Sequence, residues 1–203
     1  MRLFAAVVPP VEVLEPLAAA VARLRGRPDA GRLRWTRPEG WHVTVAFYGE
    51  VPAGAVAELG DRLARAAARR RGPLSLGLAG GGRFSDTVLW TAATGDVEEL
   101  GRLAAGAEAA GRRTRGVGEG AGSGAGARGP GGERRYRPHL TLARQRHGGG
   151  ADLAPYTDAL RDFTTPRREV PALTLIRSHL PLRGVAGAQP HYEPVASWPL
   201  GGA

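Results

Sequence analysis

Two short segments, far apart in the chain, repeat one alternating pattern that constrains the fold more than any other feature. Residues 42–46 read His-Val-Thr-Val-Ala, and residues 139–143 read His-Leu-Thr-Leu-Ala. Successive residues of a β-strand point to opposite faces, so the histidine and threonine of each segment share one face and the aliphatic residues share the other. Each segment is therefore predicted to pack an aliphatic face into a core and to present an imidazole beside a hydroxyl.

The doubling of this pattern favours a functional pair. One His-x-Thr strand is usually a half-exposed face without function, but the chain has only five histidines and two of them, His42 and His139, share the pattern. If the two strands lie side by side, two imidazoles and two hydroxyls meet in one small volume. His147, His179 and His191 have no threonine two residues later, so we interpret them as loop or surface residues.

The rest of the sequence predicts an α+β architecture of antiparallel sheets with a few helices. Extended runs predict strands at 2–8, 33–36, 41–48, 74–79, 87–93, 136–144 and 172–180, and an extended segment near 191–199. Helical spacing of apolar residues predicts helices at 14–24, 56–67, 100–107 and near 155–161. Gly49 is expected to end its strand, and residues 80–84 to form a turn. The regular strand–helix–strand period of a doubly wound sheet is missing.

One segment is expected to stay outside the core. Residues 116–132 are mostly Gly, Ala and Ser, and a segment with so little to bury does not offset the entropy of ordering. We interpret it as a flexible Gly-rich surface loop within a single domain that spans residues 1–203.

All the basic residues are arginines, and the net charge is +9. The arginine fork suits phosphate oxygens, and the surplus charge favours a polyanionic partner. A GC-rich genome would produce the same arginine usage, so charge alone does not establish nucleic-acid binding. The absence of cysteine excludes disulfides and thiolate metal sites.

No secretory or membrane segment is predicted. Pro9, Pro10, Glu12 and Glu15 interrupt the apolar N-terminus, and no stretch approaches the roughly 18 apolar residues of a membrane span. A cytoplasmic location without membrane association is the expectation.

The doubled motif and its flanks resemble the 2H phosphoesterase superfamily, and within it the bacterial RNA 2′,3′-cyclic phosphodiesterases, historically called 2′-5′ RNA ligases. The resemblance is carried by RLFAAVVPP at 2–10, WHVTVAFYGEV at 41–51, RF…VLW at 83–90 and RPHLTLAR at 137–144. Ser178 and the segment from Tyr192 to Trp198 resemble the closing strands of that family. The resemblance implies two pseudo-symmetric lobes, each an antiparallel sheet with flanking helices, and an active-site cleft between them.

The resemblance also implies an activity and roles for residues. A terminal 2′,3′-cyclic phosphate of RNA would be hydrolysed to a 2′-phosphomonoester, with His42 as proton donor and His139 as proton acceptor. Thr44, Thr141 and Arg144 would bind the phosphate. Regular alternation turns residue 144 away from His139, so the role of Arg144 needs a bend or bulge at the end of the strand.

The sequence does not decide which aromatic residue would stack on the terminal base. The family often has an aromatic residue at the position of Ala5, and the alternatives are Phe4, Phe84, Trp35 and Trp41, which are also candidates for the core. No cofactor and no metal ion are expected, because neither motif has a carboxylate neighbour that could complete a site.

Two other functions are compatible with the sequence. One is a 2H phosphoesterase acting on a small cyclic nucleotide or a 2′-5′ linkage, and the other is a non-catalytic RNA-binding module. RNA joining through a 2′-5′ bond, the reverse reaction at the same site, is expected only as a weak side activity. RNA ends with a cyclic phosphate are the expected partner, with no obligate protein partner and a monomeric state.

Overall fold

The structure, a computed structural model, describes residues 1–117, 136–146, 148–180 and 189–201. All but the first two residues of the predicted Gly-rich loop, and also His147, lie outside these ranges. The strands are β1 (Arg2–Val7), β2 (Leu33–Trp35), β3 (Val43–Glu50), β4 (Leu74–Phe84), β5 (Val88–Gly95), β6 (His139–Gln145), β7 (Arg168–Val170), β8 (Ala172–His179) and β9 (His191–Pro199). The helices are α1 (Val11–Arg25), α2 (Val56–Ala68), α3 (Val97–Arg113) and α4 (Ala154–Ala159).

The nine strands form one antiparallel sheet in the order β7-β4-β5-β6-β3-β1-β8-β9, with β2 paired to β6. This arrangement confirms the predicted α+β class. Across the described ranges, no helix has both the length and the apolar character needed to cross a membrane.

The sheet has two halves that meet at a narrow junction. One half contains β7, β4, β5 and β6 with β2, and the other contains β3, β1, β8 and β9. Between them, β3 and β6 are joined through the single registered pair Val43–Leu140, whereas the β1–β3 pairing extends from Arg2–Glu50 to Val7–Val43. The two predicted lobes correspond to these halves, and the cleft opens at their junction.

Helices cover the face of the sheet opposite the cleft. The aliphatic residues that alternate with the two His-Thr pairs are completely or almost completely buried, in one core with Leu59 and Leu63 of α2 and Leu100 of α3. Tyr48 of β3 is also buried, and its hydroxyl donates to the carbonyl of Ala107 in α3 over 3.1 Å. Burying each such large apolar side chain stabilises the fold by about 1.5–3 kcal/mol, so this packing fixes which face of the sheet is left for the cleft.

The observed strands differ from the predicted ones mainly around the two motifs and in one additional short strand. The first motif strand begins at Val43 rather than at 41, and it continues through Gly49, whose φ of 66° the chain accommodates without ending the strand. The second begins at His139, because Pro138 has no N–H to donate to a ladder. The three-residue edge strand β7 was missed, since so short a run shows no alternation.

The predicted turn at residues 80–84 is wrong. These residues belong to β4, which continues to Phe84 beside β5 with a register shift between Ala79 and Gly82. Neighbouring side chains approach the backbone closely at two of the three glycines. A Cβ at Gly82 would lie 2.2 Å from the ring of Trp90, and one at Gly81 would lie 2.7 Å from Leu160. Gly81 and Gly82 therefore make room for side chains, whereas Gly80 has open space around it and a φ of 62°, which glycine adopts most readily.

Candidate active site

The pairing of β3 with β6 brings the two His-Thr motifs together. His42 immediately precedes β3, and His139 is the first residue of β6. Continuing the antiparallel register of Val43–Leu140 by one residue in each direction sets His42 opposite Thr141 and Thr44 opposite His139. Side chains at opposed positions share a face, with Cβ atoms about 4.5–5.5 Å apart. Two imidazoles and two hydroxyls thus face one volume.

This volume is a cavity of about 360 Å³ at the junction of the two halves. All five predicted site residues line it: His42, Thr44, His139, Thr141 and Arg144. The other lining residues are Arg2, Phe4, Thr36, Gly40, Phe47, Ser178, Leu180, Pro190 and Tyr192. Both histidines and both threonines are only partly buried, so each retains surface that a ligand can reach.

A bulge in β6 brings Arg144 to the same face as His139 and Thr141. Thr141 pairs with Trp90 and Ala143 with Leu89, so β6 carries one extra residue, Leu142, relative to β5. Leu142 and Ala143 are buried in succession, and the alternation resumes one residue late. Arg144 consequently lines the cleft, which meets the condition set from the sequence.

A matching bulge in β3 brings Phe47 into the cleft. Ala6 pairs with Thr44 and Ala5 with Ala46, so β3 also gains a residue directly after its threonine. Phe47 therefore holds the position in the first motif that Arg144 holds in the second, five residues after the histidine. Phe47 was not predicted: it directly follows the five-residue repeat, as Arg144 does, but regular alternation turns this position away from the histidine.

Each histidine is held between two aromatic rings. The ring centroid of His42 lies 4.7 Å from that of Phe4 and 5.2 Å from that of Tyr192. The His139 centroid lies 4.8 Å from that of Phe84 and 5.9 Å from that of Trp90. Such packing restricts the rotation of both imidazoles and removes water from their sides.

A backbone carbonyl orients the imidazole of His139. Nδ1 of His139 lies 2.6 Å from the carbonyl oxygen of Arg137, and its N–H donates to that oxygen. This bond selects the tautomer whose Nε2 carries the lone pair. The backbone of Gly40, two residues upstream of His42, raises the pKa of His42 as that of Arg137 raises the pKa of His139.

Both imidazoles favour the neutral form in the free protein. The pKa of His42 is lowered to about 4, chiefly by burial; the hydrogen bond with the Gly40 backbone opposes the shift, and the positive neighbours His139 and Arg144 add to it. Burial also lowers the pKa of His139, with a contribution from Arg144 and opposition from the Arg137 carbonyl. A bound anion would reverse the effect of the positive neighbours and make protonation easier.

The aromatic candidates for base binding divide into two groups. Trp35 and Trp41 belong to the core, where the indole N–H of Trp35 donates to the Ala30 carbonyl over 3.0 Å. Phe4 and Phe84 contact the imidazoles of the cavity. Of the aromatic residues that line the cavity, Phe47 and Tyr192 are only partly buried, so they present ring surface to a ligand.

The other histidines that the structure describes lie outside this cavity. His179 of β8 and His191 of β9 pair across the two strands, and the imidazole of His179 lies 2.7 Å from a carboxylate oxygen of Glu193. Both are on the surface as predicted, but on strands rather than loops.

Comparisons with known proteins agree with this fold. Residues 7–90, which contain the first motif, match the family described as LigT-like phosphoesterase. The RNA 2′,3′-cyclic phosphodiesterase of Geobacillus stearothermophilus is 32% identical over 176 residues, which are 83% of this chain and 48% of that protein. The chain therefore spans about half the length of this curated relative.

Two solved structures are similar over nearly their whole length. The protein TT0787 of Thermus thermophilus is 25% identical with a TM-score of 0.71, and the match covers 100% of this chain and 99% of that one. Apo LigT of E. coli is 23% identical with a TM-score of 0.67, covering 98% and 97% of the two chains. The second likeness concerns the fold alone.

The first prediction concerns the protonation of the two histidines. NMR titration of the imidazole signals, assigned with single His→Gln variants, should show His42 titrating near pH 4 and His139 below 6.5. Arg144→Met should raise both pKa values because a nearby positive charge is removed. Arg69→Met, at the exposed C-terminal end of α2, serves as the control and should change neither. A His42 pKa at or above 6.5 would contradict the electrostatics described above.

The second prediction concerns the contact that supports His139 through Trp90. Gly82→Ala places a methyl group where the Trp90 ring lies, and the resulting strain should reduce the free energy of unfolding by about 1–3 kcal/mol. Gly101→Ala, in α3 with open space around its Cβ position, should instead stabilise by about 0.5–1 kcal/mol. Urea unfolding measures both. Equal stability of the Gly82→Ala variant and the original protein would show that Trp90 is not held as described.

Proposed function

We propose, from the premise that this chain belongs to the LigT-like phosphoesterase family, that it hydrolyses the terminal 2′,3′-cyclic phosphate of an RNA to a 2′-phosphomonoester. The observation that carries the proposal is the β3–β6 register: when it is continued by one residue in each direction, each imidazole lies opposite a hydroxyl in one cavity. The name of the Geobacillus stearothermophilus relative supports the same activity.

The reaction needs one proton acceptor and one proton donor. His139 removes a proton from water, whose oxygen attacks phosphorus, while His42 donates a proton to the departing 3′-oxygen as the bond from phosphorus to that oxygen breaks. Each transfer contributes a factor of about 10²–10⁴ to the rate. The bond from Nδ1 of His139 to the Arg137 carbonyl supports the acceptor role, because it leaves the lone pair on Nε2.

His42 acquires its proton together with the substrate. In the free protein its pKa of about 4 leaves it neutral at pH 7. A cyclic phosphate carries one negative charge, and this charge stabilises the imidazolium against burial and against the positive neighbours. The division of roles between the two histidines is part of the proposal.

Three side chains are suited to hold the phosphate. The hydroxyls of Thr44 and Thr141 donate hydrogen bonds to the non-bridging oxygens as negative charge develops there. Arg144 offers a planar fork that binds two oxygens at once. Their common placement around one cavity supports this assignment.

The substrate class follows from the size and the charge of the site. A cavity of about 360 Å³ accommodates a nucleotide end, and the net charge of +9 attracts a polyanion. Structures of E. coli LigT with 3′-AMP and with phosphate show that this fold accepts such ligands in that protein. A monomeric state, a cytoplasmic location and a single domain over 1–203 stay predictions.

The third prediction tests turnover directly. With EDTA present, the protein should convert an oligonucleotide ending in a 2′,3′-cyclic phosphate to the 2′-phosphate, identified by ³¹P NMR. His42→Ala and His139→Ala should each lower kcat by about 10²–10⁴ because a proton transfer is lost. His179→Ala, which removes an imidazole outside the cavity, is the matched control and should retain full activity. Unchanged turnover in either cavity variant would end the proposal.

The fourth prediction concerns the pH dependence of kcat/KM. Reaction requires one proton on the histidine pair, which near neutral pH is acquired together with the substrate, and both pKa values of the free protein lie below 6.5. The profile should therefore be a bell with its maximum below pH 6.5, falling at higher pH as the donor loses its proton and at lower pH as the acceptor gains one. A maximum above pH 7 would be inconsistent with this pair of groups.

A further inference from the structure

A second cavity opens directly beside the active-site cavity. Its volume is about 320 Å³, and five residues line both cavities: Thr36, Gly40, Arg144, Pro190 and Tyr192. The residues that line only the second are Arg34, Arg37, Glu39, Gln189 and His191. Arg144 and Tyr192 thus lie between the space for the reacting phosphate and a neighbouring space of similar size.

Two arginines of the second cavity are opposed across neighbouring strands. Arg34 of β2 pairs directly with Arg144 of β6, so both guanidinium groups project from the same face. Like charges in this position destabilise a sheet. Burial lowers the pKa of Arg144; Tyr192 opposes this shift, and Arg34 adds to it, as expected for positive charges in proximity.

In the part of the chain that the structure describes, no carboxylate forms an ion pair with the three arginines that line the second cavity. Arg34, Arg37 and Arg144 form no salt bridge there. Glu39 also lines the cavity, but it is exposed and not within ion-pair distance of these arginines. The second cavity therefore places Arg34 and Arg37, neither of which has an ion-pair partner among the described residues, next to the active site.

The wall of this cavity is fixed by specific contacts. The side chain of Gln189 donates to the Trp35 carbonyl over 2.6 Å and accepts from the backbone N–H of Arg37 over 3.3 Å. Tyr192 packs on Gly40, where a Cβ would lie 3.3 Å from the tyrosine ring. These contacts connect the start of β9 to the segment after β2 and shape a defined compartment.

We propose that this second cavity binds the phosphodiester on the 5′ side of the terminal nucleotide, so that the protein acts on oligonucleotide ends in preference to mononucleoside cyclic phosphates. The inference rests on the proposed function. RNA has one negative charge per nucleotide, and contacts to phosphates fix the register of a nucleic acid on a protein. Arg144 would contact the reacting phosphate, while Arg34 and Arg37 bind the next one.

The test compares a dinucleotide with a mononucleoside, each ending in a 2′,3′-cyclic phosphate, because only the dinucleotide has the additional phosphodiester. Arg34→Met should lower kcat/KM for the dinucleotide by about tenfold or more, the effect of losing a hydrogen bond to a charged group. The value for the mononucleoside should not change. Arg37→Met should act in the same direction, and Arg69→Met at the end of α2 is the control that removes an equal charge elsewhere.

Salt dependence provides a second readout. For the dinucleotide, the slope of log(kcat/KM) against log[salt] should become shallower by about 0.7 in Arg34→Met, since one phosphate contact to a single strand is lost.

The outcomes separate the two proposals. If the unaltered protein turns over neither substrate, the proposed function fails. If it turns over both and Arg34→Met and Arg37→Met affect both equally or not at all, the phosphodiester site is wrong while the activity stands. Turnover of the mononucleoside by each variant also reports that the variant is folded.

Discussion

The antiparallel contact between β3 and β6 at Val43 and Leu140 joins the two halves of the sheet at the point where the cleft opens. Antiparallel pairing relates the strands by a local twofold axis, so one pair in register fixes its neighbours. Two copies of one motif then become complementary, because continuing this register sets each histidine opposite the threonine of the other copy. The chemistry depends on this register, since a slip by one residue would turn one motif into the core.

The core enforces that register. Val43, Val45, Leu140 and Leu142 are fully buried beneath the cleft, so neither strand can rotate without exposing them. The bulges then add what regular strands do not offer, a third residue on the cleft face of each strand. On one side this residue is Arg144, and on the other it is Phe47, beneath the guanidinium of Arg2 at 4.9 Å from its ring centre. A nearly symmetric scaffold thus presents an arginine on one side and an arginine-capped aromatic ring on the other.

Much of this could be predicted from the sequence, because His42, Thr44, His139 and Thr141 follow the strict period of a strand. Which strand pairs with which could not be predicted in this way, since strand pairing depends on tertiary packing rather than on local periodicity. The extra residue of a bulge is visible only against the neighbouring strand, which explains why Phe47 was missed and why Arg144 required the bulge as a condition. The misassigned turn at residues 80–84 has the same origin: Gly82 accommodates Trp90 of the paired strand β5, and Gly81 accommodates Leu160, so both glycines reflect neighbours that the local pattern does not show. The pairing of Arg34 with Arg144 could likewise not be predicted from the local sequence, because it depends on which strands are neighbours in the sheet.

A crystal structure with uridine vanadate, which mimics the five-coordinate phosphorus of the transition state, tests the central claim most directly. The account predicts that vanadate occupies the cavity at the β3–β6 junction, with a ring nitrogen of His42 and Nε2 of His139 each about 2.6–3.2 Å from a different vanadate oxygen. Vanadate bound elsewhere, or contacted by only one of the two imidazoles, would contradict it.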